Sequence, residues 1–384
     1  MGLSKVETFI VDLPKRRPHN WASKMTAPIG SHLISKVVDD DGVVGWGETP
    51  AIATWGGAHM RYYGETPETA AHLIDAYLWP AIEGSAATDI EKIHRAMDDA
   101  VKGNPYAKAA LDIAVHDLAG RKLGVPVAAL LGGRFRDRIP VCHSLGIMDD
   151  DPALDEAEQA VSEGIRTIKV KTGVDPERDV RLVRKLRARL GDETAIRVDA
   201  NEGYRLVSQA VAITQRMVGE AQIFLCEQPL AGARGCAEVA RRVPIPVMVD
   251  ESAWTTADIL QIAELGAIEL ISLYVTKPGG LWRAHQQAIV AESVGLISDI
   301  GGSIEMGIGN AANLQLGAAT PIAELPSVCP VSAPSGSRDG IAGAYYTDDL
   351  IAEPFVLEDG ALVVPEGPGL GIEVDEEKIR AYSR

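Results

Sequence analysis

The chain has 384 residues, 46% of them hydrophobic and 24% charged, enough for two domains with sizeable cores. Its formal charge of -17 repels phosphate backbones, which argues against nucleic-acid partners, and no apolar run approaches the roughly 18 residues that would span a bilayer. The N-terminus MGLSKVETFIVDLPKRRP lacks an uninterrupted signal-peptide core, so a cytoplasmic protein is expected. The four cysteines (Cys142, Cys226, Cys236, Cys329) form no CxxC spacing, which sets aside zinc and disulfide frameworks.

Residues 6–11, 32–38 and 43–48 (VETFIV, HLISKVV, VVGWGE) read as strands, with Asp39-Asp40-Asp41-Gly42 turning between the last two. From Pro67 to Gly124 apolar residues recur at three- and four-residue intervals, predicting helices. Together they make an α+β unit over 1–130. Beyond LLGGRFRD (130–137) short apolar strands alternate with charged amphipathic helices: VCHSLG, TIKVK, AIRVDAN, IFLCEQP, PVMVDES, LISLYV and GLISDI. Comparable strand ends fall at Lys171, Asp199, Glu227, Asp250, Tyr274 and Asp299, one strand-helix unit apart each time. That recurrence predicts an α/β barrel over 131–340, with a doubly wound open sheet as the competing arrangement. The alternating tail within 341–384 is expected to return to the first unit.

Side chains at the C-terminal ends of barrel strands converge on one site. Here those ends supply Lys169 and Lys171, Asp199 with Asn201, Glu227, Asp250 with Glu251, Tyr274 and Asp299. Any one acid could simply cap the helix after its strand. Three acids on three successive strands would instead gather buried negative charge, which a hard divalent cation such as Mg2+ offsets, with room left for a carboxylate substrate. Lys169 and Lys171, two residues apart, point to the same face. Mutual repulsion and partial burial lower a lysine pKa, so one of the pair can serve as a base on a proton beside a carboxylate, the cation stabilising the enediolate that forms.

These residues, together with DLP…RPH, GNPYAKAALDIAVHDLAGRKLGVPVAALLGG, KPGG, GGSIEMGIG and EGPGLGIEVDEEKI, resemble the enolase superfamily in the muconate-lactonizing subgroup of the mandelate racemase/muconate lactonizing enzyme family. The resemblance covers nearly the whole chain. It implies a modified TIM barrel, (β/α)7β, under an α+β capping domain built from the N-terminal region and the C-terminal tail. It implies Asp199, Glu227 and Asp250 as ligands to Mg2+, with Mn2+ as the alternative, Lys171 as base, Lys169 as its pKa-lowering partner, and Glu251 behind the ligands. Glu305, in the loop after the seventh strand, matches an acid that lines the pocket, and Asn201 and Asp299 are further candidate substrate contacts. Loops at 17–29 and 51–57 would select a small carboxylate substrate, with Trp21, Met25 and Trp55 as an apolar lid or as domain-interface packing. A homo-oligomer between dimer and octamer is expected.

One departure bears on the reaction. Two-base members carry a second lysine where ISLYVTKPGG has Tyr274, and Lys277 lies three residues later. An odd separation puts 274 and 277 on opposite sides of a regular strand, which disfavours Lys277 as a substitute unless the strand ends by Val275. One-base chemistry on Lys171 therefore leads, muconate-cycloisomerase-like first and a succinylbenzoate-synthase-like elimination next. An N-acylamino-acid racemase or epimerase using Tyr274 or Lys277 stays open. Outside this class stand a Schiff-base aldolase, a dinucleotide site at the GxGxxA of 307–312, and a carboxylate-binding protein with a decayed site. Among histidines, His143 has a chance of reaching the pocket, while His116 and His285 read as structural or exposed. Cys226 should face away from the site that Glu227 enters.

Overall fold

Two glycines in the stretch Val44–Thr49 decide how the N-terminal unit packs. In the computed structural model, which describes residues 2–22, 30–55, 64–329, 333, 335 and 339–384, this stretch is the last of three antiparallel strands, after Leu3–Asp12 and Ser31–Asp39. The helix Pro105–Leu123 crosses it so closely that a Cβ on Gly45 would stand 2.1 Å from the Ala114 carbonyl oxygen, and one on Gly47 1.9 Å from that of Ala110. Only glycine admits such an approach. The helix is buried without a break from Tyr106 to Gly120, and on its far side the Asp112 carboxylate accepts the Leu281 N–H of a barrel helix. It is the layer between cap and barrel.

Seven parallel strands follow in one sheet, neighbours in chain order: Cys142–Leu145, Thr167–Lys171, Ala195–Asp199, Leu225–Glu227, Val247–Val249, Leu270–Leu273 and Ile297–Ile300. A helix follows each, from Asp150–Ser162 to Gly307–Ala319. The ring closes through an eighth extended segment. Ala323 bridges Ser298 of the last strand and Ser327 bridges Val141, both in parallel, while Val328 N donates to Ile300 O (3.0 Å) and Cys142 N to Ser327 O (2.9 Å). The arrangement is (β/α)7β, and the open doubly wound alternative is set aside.

Inside the ring Leu225, Met248 and Leu270 form a small apolar plug. Two residues further along the same strands stand Glu227, Asp250 and Ser272, so the period of the strand itself lifts the acids to the tier above. In the tail, Ala361–Val363 pairs with Arg138–Pro140 at the barrel entrance, Leu362 opposite Ile139, and Leu357–Glu358 pairs with Ala361–Val363 in turn. The last helix, Glu376–Tyr382, does reach the cap, where Ser383 bridges Val11 and Lys36 pairs with Glu376 at 2.6 Å. No described helix is long and apolar enough to cross a membrane.

Candidate active site

Lys171, Asp199 and Glu227 are register partners across three neighbouring strands, so they share one level at the barrel mouth. Lys171 Nζ donates to Asp199 Oδ2 (2.6 Å) and to Asn201 Oδ1 (2.8 Å). Lys169 Nζ sits between Asp199 Oδ2 (2.8 Å) and Glu227 Oε1 (2.7 Å). Asn201 holds a left-handed backbone (φ 39°), which asparagine tolerates better than most residues, and its Nδ2 donates to Glu251 Oε1 at 2.8 Å. Asp250, one residue beyond its strand, receives Lys277 Nζ on Oδ1 (2.7 Å) and the Tyr274 hydroxyl on Oδ2 (2.9 Å).

The burial of these charges sets their protonation. Burial raises the Asp199 carboxyl, but Lys169 and Lys171 outweigh it and hold Asp199 below the usual carboxylate range. Glu227 has one ammonium to share; burial and then Asp199 push it up to about 7. Burial likewise, with Asp250 and Asp199, drives Glu251 well above the ordinary value. Lys169 keeps its own charge. Burial opposes its charge, yet Asp199 and Glu227 prevail and hold it above the ordinary lysine value, so it is a fixed cation between two acids.

The acids fit a hard divalent cation in type, burial and number, and Glu227 Oε2 is buried with no hydrogen-bond partner. As they stand, no three His, Cys, Asp or Glu side chains among the described residues converge tightly enough to ligate one ion. Lysines hold one oxygen of each acid, Asp199 Oδ2, Glu227 Oε1 and Asp250 Oδ1. Asp199, Glu227 and Asp250 would each give up a lysine contact on holding a cation.

Tyr274 and Lys277 do not face opposite ways. The sixth strand ends at Leu273, so the parity rule no longer governs, and the Thr276–Gly279 turn brings Lys277 back under the Tyr274 ring at 4.1 Å from its centroid. Lys277 is fully buried and donates to Asp250 Oδ1, to the Asp250 carbonyl (2.9 Å) and to the Ser272 carbonyl (2.8 Å). Its ammonium is spent on protein oxygens. A cavity opens over the cluster, and Lys169, Lys171, Asn201, Asp250 and Tyr274 line it while Lys277 does not.

Family comparison matches both parts of the chain. Residues 5–132 match the mandelate racemase / muconate lactonizing enzyme N-terminal domain, and 153–378 the enolase C-terminal domain-like family. The chain belongs to the mandelate racemase/muconate lactonizing enzyme family. It is 33% identical to muconate cycloisomerase 1 of Rhodococcus opacus over 100% of this chain and 99% of the relative. It is 30% identical to the N-succinyl-L-Arg/Lys racemase of Bacillus cereus, over 99% and 97%. Among solved structures, a Pseudomonas fluorescens muconate lactonizing enzyme complexed with muconolactone superposes with TM-score 0.89 at 30% identity, covering 100% of this chain and 99% of that one.

In this family member the expected lid residues divide. Trp21 lines the cavity with its ring 5.8 Å from Lys171 Nζ. Trp55 both lines it and packs, its ring between Trp254 (5.2 Å) and Tyr274 (5.3 Å) with Nε1 3.4 Å from Glu251 Oε1. Met25 lies outside the described residues. Asp299 is not a cavity residue: it accepts Arg197 (2.8 Å) and the Ser272 hydroxyl (2.7 Å), which use both oxygens. Glu305 also misses the wall. Its Oε2 turns back onto Ser303 N (2.8 Å), and burial pushes it up to about 7.

His143 points outward, donating to Glu156 Oε1 at 2.9 Å, and its neighbour Ser144 lines the cavity instead. Alternation along the strand carries that signal, since Ser144 is the register partner of Lys169. His116 is bound within its helix to Asp112, and Cys226 faces Thr214 of the helix Val207–Ala221. The GxGxxA turn starts a helix whose first N–H groups are already taken by Glu48 and Asp349, which leaves no place for a phosphate. Sequence reasoning did not single out His19, Tyr345, Ile52, Ile304 or Val328, all of which line the cavity. For His19 the RPH motif was the available signal; Tyr345 comes from a segment more than 170 residues from Lys171 in the chain and carried none.

Proposed function

We propose that this chain is an Mg2+-dependent enzyme that moves a proton on and off the carbon beside a substrate carboxylate by one-base syn chemistry, in the manner of a muconate cycloisomerase. In this reading Asp199, Glu227 and Asp250 hold the cation, with Mn2+ as the alternative metal, and Lys171 is the base. The cation supplies charge stabilisation to the substrate carboxylate as negative charge develops on it. Lys171 takes or returns the proton from one face of the α-carbon, and Asn201, bonded to its ammonium at 2.8 Å, fixes where that proton sits. Trp21 and Trp55 exclude water from the reacting carbon. A syn elimination would use the same residues.

The observation that carries the reading is the contrast between two lysines. Lys171 lines the cavity, whereas Lys277 is committed to Asp250 and Ser272 and lies off the wall. A barrel with a lysine on one side and Tyr274 on the other suits chemistry that needs a single base. An epimerase reading is favoured by one observation: in a ring of eight the second and sixth strands stand opposite, and Tyr274 and Lys171, at or just past their ends, both line the cavity. The domain division that goes with the proposal is a cap over 1–130, a barrel over 131–340 and a returning segment over 341–384, in a cytoplasmic homo-oligomer.

The test is α-deuterium incorporation from D2O across a carboxylate library with Mg2+ present. Incorporation on one face, lost with chelator and in Lys171→Ala, is the expected result. Incorporation that survives Lys171→Ala would sink the proposal.

A further inference from the structure

One buried carboxylate ties together the two loops that carry Lys171 and Asn201. Asp179 stands in the first turn of the helix Pro176–Leu190 and is wholly buried. Its Oδ2 accepts the Gly173 N–H at 2.8 Å and the Tyr204 hydroxyl at 3.2 Å, and its Oδ1 accepts the Arg178 guanidinium at 3.3 Å. Gly173 lies just past Lys171 in the chain, and Tyr204 just past Asn201. The two donors on Oδ2 therefore come from the two loops whose side chains meet in the bond from Lys171 Nζ to Asn201 Oδ1.

Arg178 extends the tie. Its Nη1 donates to the Lys171 carbonyl (2.8 Å) and its Nη2 to the Met148 carbonyl (3.0 Å), which holds the loop after the first strand to the end of the second. The second and third loops also interlock directly. A Cβ on Gly173 would stand 2.5 Å from the Ala200 carbonyl oxygen, and one on Gly203 2.4 Å from that of Gly173. Between them Asn201 and Glu202 both hold left-handed backbones (φ 39° and 64°), a conformation that persists in such residues only where the surroundings impose it. Here Glu202 N donates to Gln228 O (2.8 Å), Gly203 N to Ala200 O (2.7 Å), and the Tyr204 hydroxyl to Asp179.

The helix does not need Asp179 in order to start. Asp175 already caps it, its carboxylate accepting Glu177 N (3.0 Å) and Arg178 N (3.3 Å). What Asp179 adds is aimed at the loops. The second strand ends at Lys171, so the backbone from which that side chain springs has the sheet on one side and this tie on the other. A lysine reaches its target on a flexible four-carbon stem, and a misplacement of about 1 Å at the reacting atoms costs about 10²-fold in rate.

We infer that Asp179 is a positioning residue: by holding Gly173 directly and the Ala200–Gly203 turn through Tyr204, it sets Lys171 Nζ and Asn201 Oδ1 in register with the reacting carbon. The inference deepens the proposed one-base chemistry and rests on it for the part that Lys171 plays. Asp179 touches neither substrate nor cation in this account and acts only through the two loops.

Two readouts test it, one of them independent of turnover. In the first, the metal-free enzyme is labelled with acetic anhydride and the acetylation of each lysine is followed by peptide mass spectrometry. Lys169 and Lys171 both line the cavity, so Lys169 serves as the internal reference. Asp179→Asn should speed labelling of Lys171 at least about threefold relative to Lys169, as its ammonium is freed from Asp199 and Asn201. In the second, the Mg2+-loaded enzyme is given the acid that shows α-exchange in D2O. Asp179→Asn should lower kcat for exchange by about 10- to 100-fold with KM within about threefold, and the isotope effect with the α-deuterated acid should rise as proton transfer becomes slower. Tyr204→Phe, which removes one hydroxyl, should move both readouts in the same direction by less, and it carries the test if Asp179→Asn does not fold. Asp150→Asn is the control, since it breaks the pairs with Arg181 and Lys185 on the exposed face of the same helix and should leave both readouts at the wild-type value. Unchanged Lys171 labelling in Asp179→Asn, an equal response to Asp150→Asn, or faster labelling with kcat unchanged overturns the inference. A wild type that shows no exchange with any acid refutes the proposed chemistry instead, while the labelling still reports whether Asp179 holds Lys171.

Discussion

Lys277 Nζ stands 2.7 Å from Asp250 Oδ1, and on the other oxygen of the same carboxylate the Tyr274 hydroxyl stands at 2.9 Å. A wholly buried ammonium is thus the counter-ion of an acid that the proposed chemistry needs for a divalent cation. Replacing Lys277 with Met leaves Asp250 buried and short of a positive partner, which costs on the order of 3–5 kcal/mol. Mg2+ would then supply the missing charge. Thermal melts of Lys277→Met should show a lower Tm than wild type without metal and a larger rise on Mg2+ addition. Equal rises in both proteins would mean that the cation does not bind at Asp250.

Tyr274→Phe separates the one-base from the two-base reading. The ring stays packed on Trp55, since only the hydroxyl is lost. If Lys171 alone moves the proton, α-exchange on its face persists within about tenfold of wild type, the loss reflecting a loosened Asp250. If the phenol serves the opposite face, inversion of a chiral substrate falls by 10²-fold or more while exchange with retention continues. Proton NMR of a chiral α-substituted acid in D2O distinguishes the two.

The regular part of this molecule was legible in the chain. A recurring strand end in an acid or a lysine marks Lys171, Asp199, Glu227 and Asp250, and neighbouring parallel strands put the first three level with one another. What failed were arguments that assumed a regular strand where there was none, or that stopped at a single side chain. The parity rule for Tyr274 and Lys277 broke because the strand ends at Leu273. The two acids that hold Lys169 charged lie on other strands, which its own stretch of sequence does not show. Asp299 stays off the cavity wall because Arg197, buried and charged, and Ser272 take both its oxygens. The meeting of His19, Ser144 and Tyr345 on the cavity wall joins residues up to 326 positions apart, which no local pattern encodes.

Glu305 makes a pH prediction with a definite sign. Burial raises it to about 7 against an unfolded value near 4.5, so the native state holds its proton more tightly than the unfolded chain does. Its contribution to stability is full below about pH 4.5 and is lost as the pH rises through about 7. Glu305→Gln removes the titration while nearly keeping the shape. Tm plotted against pH should flatten between pH 5 and 7.5, with the variant more stable above pH 7 by on the order of 1–3 kcal/mol. A residual slope is expected from Glu65, which burial also raises to about 7. Turnover tests the expected catalytic part of Glu305: a buried acid turned onto Ser303 leaves kcat unchanged on replacement by Gln, and a large fall in kcat would return it to the chemistry.

Gly301 tests how firmly the Tyr274 ring is seated. A Cβ at this position would stand 2.0 Å from Tyr274 Cε2 and 2.5 Å from Ser272 Oγ. The ring has little room to retreat, because Trp55 packs against it at 5.3 Å between centroids and Trp55 in turn packs on Trp254. Gly301→Ala should therefore destabilise by about 1–3 kcal/mol, the usual penalty of overfilling a packed site. It should also weaken Mg2+ binding, since a displaced ring draws its hydroxyl away from Asp250. If the ring is the obstacle, truncating it relieves the clash, and Gly301→Ala should cost at least about 1 kcal/mol less in a Tyr274→Ala background than alone. Denaturant melts of the four proteins in that cycle measure the coupling, and strictly additive costs would show that Ser272, not Tyr274, meets the added methyl.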